Sequence, residues 1–287
     1  MSNTASGCAT QVSGPRFLTV PRTASMSLPC PSTHCHETMT KSPRNGLNID
    51  RLEASLPGPE GKFRLLVEGL SLAPGEMVAL TGESGAGKTL LLEMMGLMRA
   101  TASGSIYTWT DAHGHLCDLA ALWSRGIRSA ALAKMRGRLF GFVPQTGGLL
   151  PYLNVRQNVI LPQLLTDKRD EEHVARLLGA LDLTPQAAMF PGQLSVGQRQ
   201  RVAIARALSH RPAFVVADEP TASLDPVKSD RVLHLLLAMA QETDCGVILS
   251  SHEVDRIRKF RLPRLHLNVK ADGAGGVVSE LSTEVIA

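Results

Sequence analysis

A chain of 287 residues, 44% of them hydrophobic, has apolar material for one large core or two modest ones, which excludes disorder throughout. Its 30 Lys and Arg residues against 26 Asp and Glu leave a formal charge of only +4, which gives no electrostatic argument for nucleic acid as a partner. No stretch reaches the roughly 18 consecutive apolar residues of a membrane-spanning helix, and five scattered cysteines fit a reducing, cytoplasmic compartment better than a disulfide framework.

Residues 1–45 are rich in Ser, Thr and Pro, carry one acidic residue (Glu37) and show no helical or strand period, so a disordered N-terminal extension is expected there. Within it Cys30, His34, Cys35 and His36 cluster, but their spacing matches no four-ligand zinc site, and they are read as unpaired tail residues. From Gly46 onward, apolar runs punctuated by Gly and Pro predict strands, and then strands alternating with helices, the pattern of an α/β protein. Met77–Leu80 reads as a buried strand, Lys88–Met98 as a helix and Ser105–Thr110 as a strand. Val174, Leu177, Leu178 and Leu181 recur at helical spacing, as do Val232, Leu233, Leu236, Leu237 and Ala240. Phe214–Ala217 and Val247–Ser250 are short apolar runs suited to central parallel strands.

Gly82, Glu83, Ser84, Gly85, Ala86, Gly87, Lys88 and Thr89 form a P-loop pattern, directly after a predicted strand and opening a predicted helix. Glycines let the backbone curl so that successive N–H groups face phosphates, and the helix N-terminus adds positive potential where the anion sits. Lys88 is then expected at the β- and γ-phosphates of ATP, and Thr89 as a ligand of Mg²⁺. Such a site needs an acid at the end of a neighbouring strand, and Asp218 after Phe214–Ala217 supplies the metal anchor. Glu219, one residue on, is placed to orient or deprotonate the attacking water. Alone, an apolar strand ending in Asp-Glu is commonplace; beside a P-loop it is a strong signal.

Leu194, Ser195, Val196, Gly197 and Gln198, running into Arg199–Leu208, resemble the signature segment of the ABC ATPase family. The resemblance spans roughly residues 47–267 and implies a P-loop NTPase fold of ABC ATPase type. Its mainly parallel core sheet would be joined to an antiparallel β lobe, from Leu47–Leu80 and Ser105–Thr110, and to a helical lobe at about 151–208, all within an ATPase domain at 46–287. By the same resemblance Gln145 contacts Mg²⁺ and the attacking water, Ser223–Asp225 form the D-loop, and His252 is the switch histidine at the γ-phosphate. Ser195 and the first N–H groups of its helix make a second anion site, although the P-loop already takes the phosphates from one side. That second site, with Ser195, Gly197 and Gln198, must serve another subunit's nucleotide. The implied assembly is a head-to-tail pair, most simply of two copies of this chain, sandwiching ATP and docked on integral membrane permease subunits. Its place is peripheral, at the cytoplasmic face of the inner (plasma) membrane.

Two positions depart from the family pattern. Val196 replaces the first glycine of the signature pair, and no aromatic residue stands near Ala54–Leu56 to stack on adenine; Phe63, the only nearby aromatic, is expected to belong to the packing of the β lobe. The segment Phe140–Pro162, with Pro144, Leu149, Leu150, Pro151, Val155 and Asn158, resembles the lipoprotein-releasing and macrolide-export ATPases and the related cell-division ATPase. The competing readings are a non-transport ABC ATPase and a regulatory module that holds ATP without turnover. The first usually carries two cassettes or a long coiled-coil insertion, and the second sits poorly with intact Lys88, Asp218, Glu219 and His252.

Overall fold

The computed structural model describes residues 45–58, 61–272 and 276–284. The extension expected at 1–45 and its Cys30, His34, Cys35 and His36 cluster lie, but for residue 45, outside the described residues. Two long strands, β1 (Gly46–Gly58) and β2 (Gly61–Leu72), pair antiparallel, and β4 (Ile106–Thr110) and β5 (Leu116–Asp118) extend that pairing on the β1 side. In the middle of the long strands burial alternates, Leu52 and Ala54 in β1 and Leu65 and Val67 in β2, as in one-sided strands, while the start of β1 is buried from Gly46 to Ile49.

The remaining strands are β3 (Met77–Gly82), β6 (Phe140–Val143), β7 (Phe214–Ala217), β8 (Gly246–Ser250), β9 (Arg264–Ala271) and β10 (Val277–Glu284). All ten lie in one sheet, in the order β5-β4-β1-β2-β10-β9-β3-β8-β7-β6. Strands β9, β3, β8, β7 and β6 pair parallel, and β10 joins the halves, parallel to β2 and antiparallel to β9. Met77–Leu80, expected in the antiparallel lobe, is therefore corrected: it lies between β8 and β9 in the parallel half. The run Met-Val-Ala-Leu is continuously apolar because both faces are covered, whereas the middles of β1 and β2 alternate.

Helix α1 (Lys88–Met95) stops short of the expected Met98 because Leu97 takes a left-handed φ of 56°. Helix α2 (Ala130–Leu139), which no period in the sequence marked, is N-capped by Ser129. Helices α3 (Val155–Leu165), α4 (Glu171–Ala180) and α5 (Val196–Leu208) come next, followed by α6 (Pro226–Glu242) and α7 (Val254–Lys259). The two faces of the parallel strands divide the core. Val78 and Leu80, Phe214 and Val216, and Ile248 pack with α1 and the β lobe, while Ala79, Val215 and Ala217, and Val247 and Leu249 pack with residues of α3 to α6. No helix among the described residues is long and apolar enough to cross a membrane.

Candidate functional site

Parallel strands present their C-terminal ends along one edge, so residues far apart in sequence converge there. The chain leaves β3 into the P-loop, and α1 opens at Gly87 with no side chain capping its first turn. Its first N–H groups are thereby free to face an anion. Gly87 has φ +89°, and a Cβ built there would lie 2.9 Å from Cζ of Phe63, so the loop passes closer to this ring than any side chain allows. Phe63 does belong to β2, and its half-buried ring also lies directly against the P-loop. Beneath the loop, the buried Ser279 hydroxyl of β10 donates to the Ala86 carbonyl at 2.7 Å.

Lys88, only 5% exposed, donates from Nζ to the carbonyls of Gly82 and Glu83 at 2.9 Å each, and lies 3.4 Å from Nδ1 of His252. Burial pushes its ammonium below the usual lysine range, and the Glu219 and Asp218 carboxylates oppose that shift. Thr89 donates its hydroxyl to Asp218 Oδ2 at 2.8 Å. The other carboxylate oxygen, Oδ1, accepts from the Ser250 hydroxyl at 2.7 Å, and Ser250 Oγ in turn accepts the Glu219 N–H at 2.8 Å. Glu219 takes a left-handed φ of 43°, rare outside glycine, which turns it away from the strand direction that Asp218 ends. Its carboxylate meets His252 Nε2 at 2.5 Å through Oε1 and accepts from Gln145 Nε2 at 3.4 Å through Oε2.

Lys88, Thr89, Gln145, Asp218, Glu219 and His252 thus form one connected cluster, drawn from the ends of β3, β6, β7 and β8. Among the described residues, Ser195 and Gln198 hydrogen-bond to each other rather than to that cluster: the Ser195 hydroxyl accepts from Gln198 N at 3.2 Å while Gln198 Oε1 accepts from Ser195 N at 2.8 Å, a reciprocal cap on α5. Val196 is 43% exposed, and it lines a cleft together with Gln145, Gln200 and Ser223. A Cβ on Gly197 would meet only Leu224 Cδ2, at an ordinary 3.7 Å, so the fold of this chain does not itself require glycine there. Ser250, Ser279 and the Phe63 contact had no signal in the sequence: a serine ending an apolar strand looks like any other strand end.

Thr89 and Asp218 offer hard oxygen donors side by side, and no cluster of three or more His, Cys, Asp or Glu able to hold a metal occurs among the described residues. That donor set suits Mg²⁺, which takes few protein ligands and completes its shell with phosphates and water.

Residues 68–222 match the family described as ABC transporter. The chain is 37% identical over 228 residues to the lipoprotein-releasing system ATP-binding protein LolD of Zymomonas mobilis subsp. mobilis, covering 77% of this chain and 93% of that protein. To LolD of Novosphingobium aromaticivorans it is 39% identical over 204 residues, covering 70% and 86% respectively. Among solved structures, the dimeric post-hydrolysis state of the ATP-binding cassette MJ0796 bound to ADP and Pi superimposes with a TM-score of 0.67 at 25% identity, over 84% of this chain and 99% of that one. With a P-loop, a paired strand-end acid and a capped signature helix on this fold, the chain belongs to the ABC transporter family, as an ATP-binding subunit that hydrolyses ATP.

Proposed function

We propose that the cluster at the strand ends is the hydrolytic half-site, with its roles divided as the residue chemistry suggests. Lys88 and the N–H groups of the P-loop bind the phosphates of ATP. Thr89 and Asp218 would hold Mg²⁺, with Gln145 as a further oxygen ligand; bound there, the ion neutralises phosphate charge. Glu219 accepts a proton from the attacking water as the new oxygen–phosphorus bond forms and the bond to the β–γ bridging oxygen breaks, releasing ADP and phosphate. His252 and Gln145, both on the Glu219 carboxylate, hold it toward the γ-phosphate position.

Ser195, Gly197 and Gln198 complete the site of a second subunit in a head-to-tail dimer. Supporting this is the exposure of Val196 at the start of their helix, together with the dimeric cassettes this chain is similar to. Two such subunits sit on the cytoplasmic face of the inner membrane, peripheral to integral permease subunits, with residues 46–287 as the motor and 1–45 outside it. The likeness to the lipoprotein-releasing ATPases makes a lipid-modified protein the first cargo to test.

The observation that carries the hydrolytic reading is the Glu219 carboxylate held between His252 and Gln145 at the end of β7. Glu219→Gln should keep ATP binding, lower turnover by at least about 100-fold and trap an ATP-dependent dimer in gel filtration. Phosphate release at the wild-type rate from that variant would remove Glu219 from the chemistry and leave a nucleotide-binding module in its place.

A further inference from the structure

Ser250 ends β8 and is fully buried, with 0% of its surface exposed. The three residues before it, Val247, Ile248 and Leu249, are apolar and equally buried, so packing alone would accept an aliphatic side chain at this position. What an aliphatic residue cannot supply is the pair of hydrogen bonds that Ser250 makes. Its oxygen accepts the Glu219 backbone N–H at 2.8 Å, and its hydrogen goes to Asp218 Oδ1 at 2.7 Å. The neighbouring Ser251 does something different: its oxygen accepts from Glu253 N at 3.0 Å, a local turn bond away from the acidic pair.

The two Ser250 bonds reach adjacent residues whose side chains have to point in different directions. Asp218 Oδ2 is engaged by Thr89, so a second fixed contact at Oδ1 sets the rotation of the whole carboxylate. Glu219 is in the left-handed region at φ 43°, a conformation that costs a non-glycine residue free energy unless its surroundings hold it there. The Ser250 oxygen supplies the N–H of this residue with its partner and so ties the turn to the end of β8.

Resting on the reading of Asp218 and Glu219 as the acidic pair of ATP hydrolysis, we infer that Ser250 is a positioning residue of that reaction. It holds the Asp218 carboxylate in register with Thr89 and pins the turn that directs Glu219 to His252 and Gln145. It touches no reacting atom itself.

The test uses the full chain, with urea midpoints reporting folding, fluorescent-nucleotide titration reporting ATP affinity, and steady-state phosphate release measured over a Mg²⁺ series. Ser250→Ala should lower kcat about 10- to 100-fold while the ATP Kd stays within about threefold, because the hydroxyl acts on the acids rather than on the P-loop. The same variant should raise the Mg²⁺ concentration for half-maximal rate by about fivefold or more, since Asp218 is then free to rotate. Ser250→Thr, which retains the hydroxyl, should return kcat to within about fivefold of the parent. A folded Ser250→Ala with parental kcat and Mg²⁺ dependence overturns the inference, as does a loss confined to Kd or a folded Ser250→Thr as slow as the alanine variant. Glu219→Gln is measured alongside: if it turns over normally the acidic-pair reading itself fails, whereas an inactive Glu219→Gln beside a parental Ser250→Ala sinks only the role given to Ser250.

Discussion

Alanine at position 87 would put a Cβ 2.9 Å from Phe63 Cζ and 3.2 Å from Cε1, on a backbone at φ +89°. Two penalties follow, and they can be separated. The left-handed backbone costs an alanine about 1–2 kcal/mol. Pushing the half-buried Phe63 ring off its rotamer adds about 1 kcal/mol, for a total of about 2–3 kcal/mol. Gly85 provides the internal control: its φ is +82°, and a Cβ there meets nothing within 4 Å. Gly85→Ala should therefore show only the backbone part. Urea unfolding without nucleotide should rank the variants accordingly, with Gly87→Ala about 1 kcal/mol less stable than Gly85→Ala. If the strain is relieved instead by a shift of the loop, it reappears as weaker ATP binding, about 30- to 150-fold for 2–3 kcal/mol. Adding Phe63→Ala to Gly87→Ala should make the two changes non-additive, removing the ring part and leaving the backbone part. Equal stability of the two glycine variants, with ATP affinity of Gly87→Ala within twofold of the parent, would show that Phe63 does not pack on the P-loop.

At the signature helix, Val196→Gly should change the ATPase rate by less than about tenfold, under about 1.4 kcal/mol in barrier, because the exposed Val196 removes no donor; Ser195→Ala should cost more. Side-by-side assays at saturating ATP decide this, and a large gain from Val196→Gly would mean that the valine keeps a partner's phosphate from closing on the helix. A pH dependence comes from His210, whose Nε2 bonds the Phe140 carbonyl at 3.1 Å and whose Nδ1 is buried without a partner. Burial pushes its imidazole down to about 4, against the opposing pull of the Phe140 carbonyl. The folded chain therefore keeps His210 neutral while the unfolded chain protonates it near pH 6.5, so stability is complete above that pH and falls as pH drops toward 4. Between pH 7 and pH 5 the loss should be about 2 kcal/mol, read from urea midpoints, and His210→Gln should flatten it. An unchanged slope in that variant would assign the acid sensitivity elsewhere.

The candidate site stood out in the sequence because its parts are short and contiguous: a P-loop pattern between a strand and a helix, and a strand that runs into Asp218 and Glu219. Each motif carries its own local geometry, so recognising them did not require knowing how the strands were ordered. The placement of Met77–Leu80 failed for the opposite reason. A four-residue apolar run says that both faces are covered but not by which neighbours, and its partners, β8 and β9, lie more than 160 residues further along the chain. Ser250 and Ser279 were invisible for the same reason, since each earns its importance from a bond to a distant residue. Helix α2 escaped notice because its apolar face is thin: only Leu132 and Leu139 are buried.

The bond from Ser279 to the Ala86 carbonyl spans 193 positions of sequence. During synthesis the P-loop motif therefore leaves the ribosome long before the strand that supports it. At about 5–20 residues per second, the interval is roughly 10–40 s. Through that time the nascent chain carries the P-loop pattern without its β10 buttress, and the parallel β2–β10 pairing must wait as well. The fold thereby leaves the turn before α1 without this hydrogen bond until β10 has been synthesised.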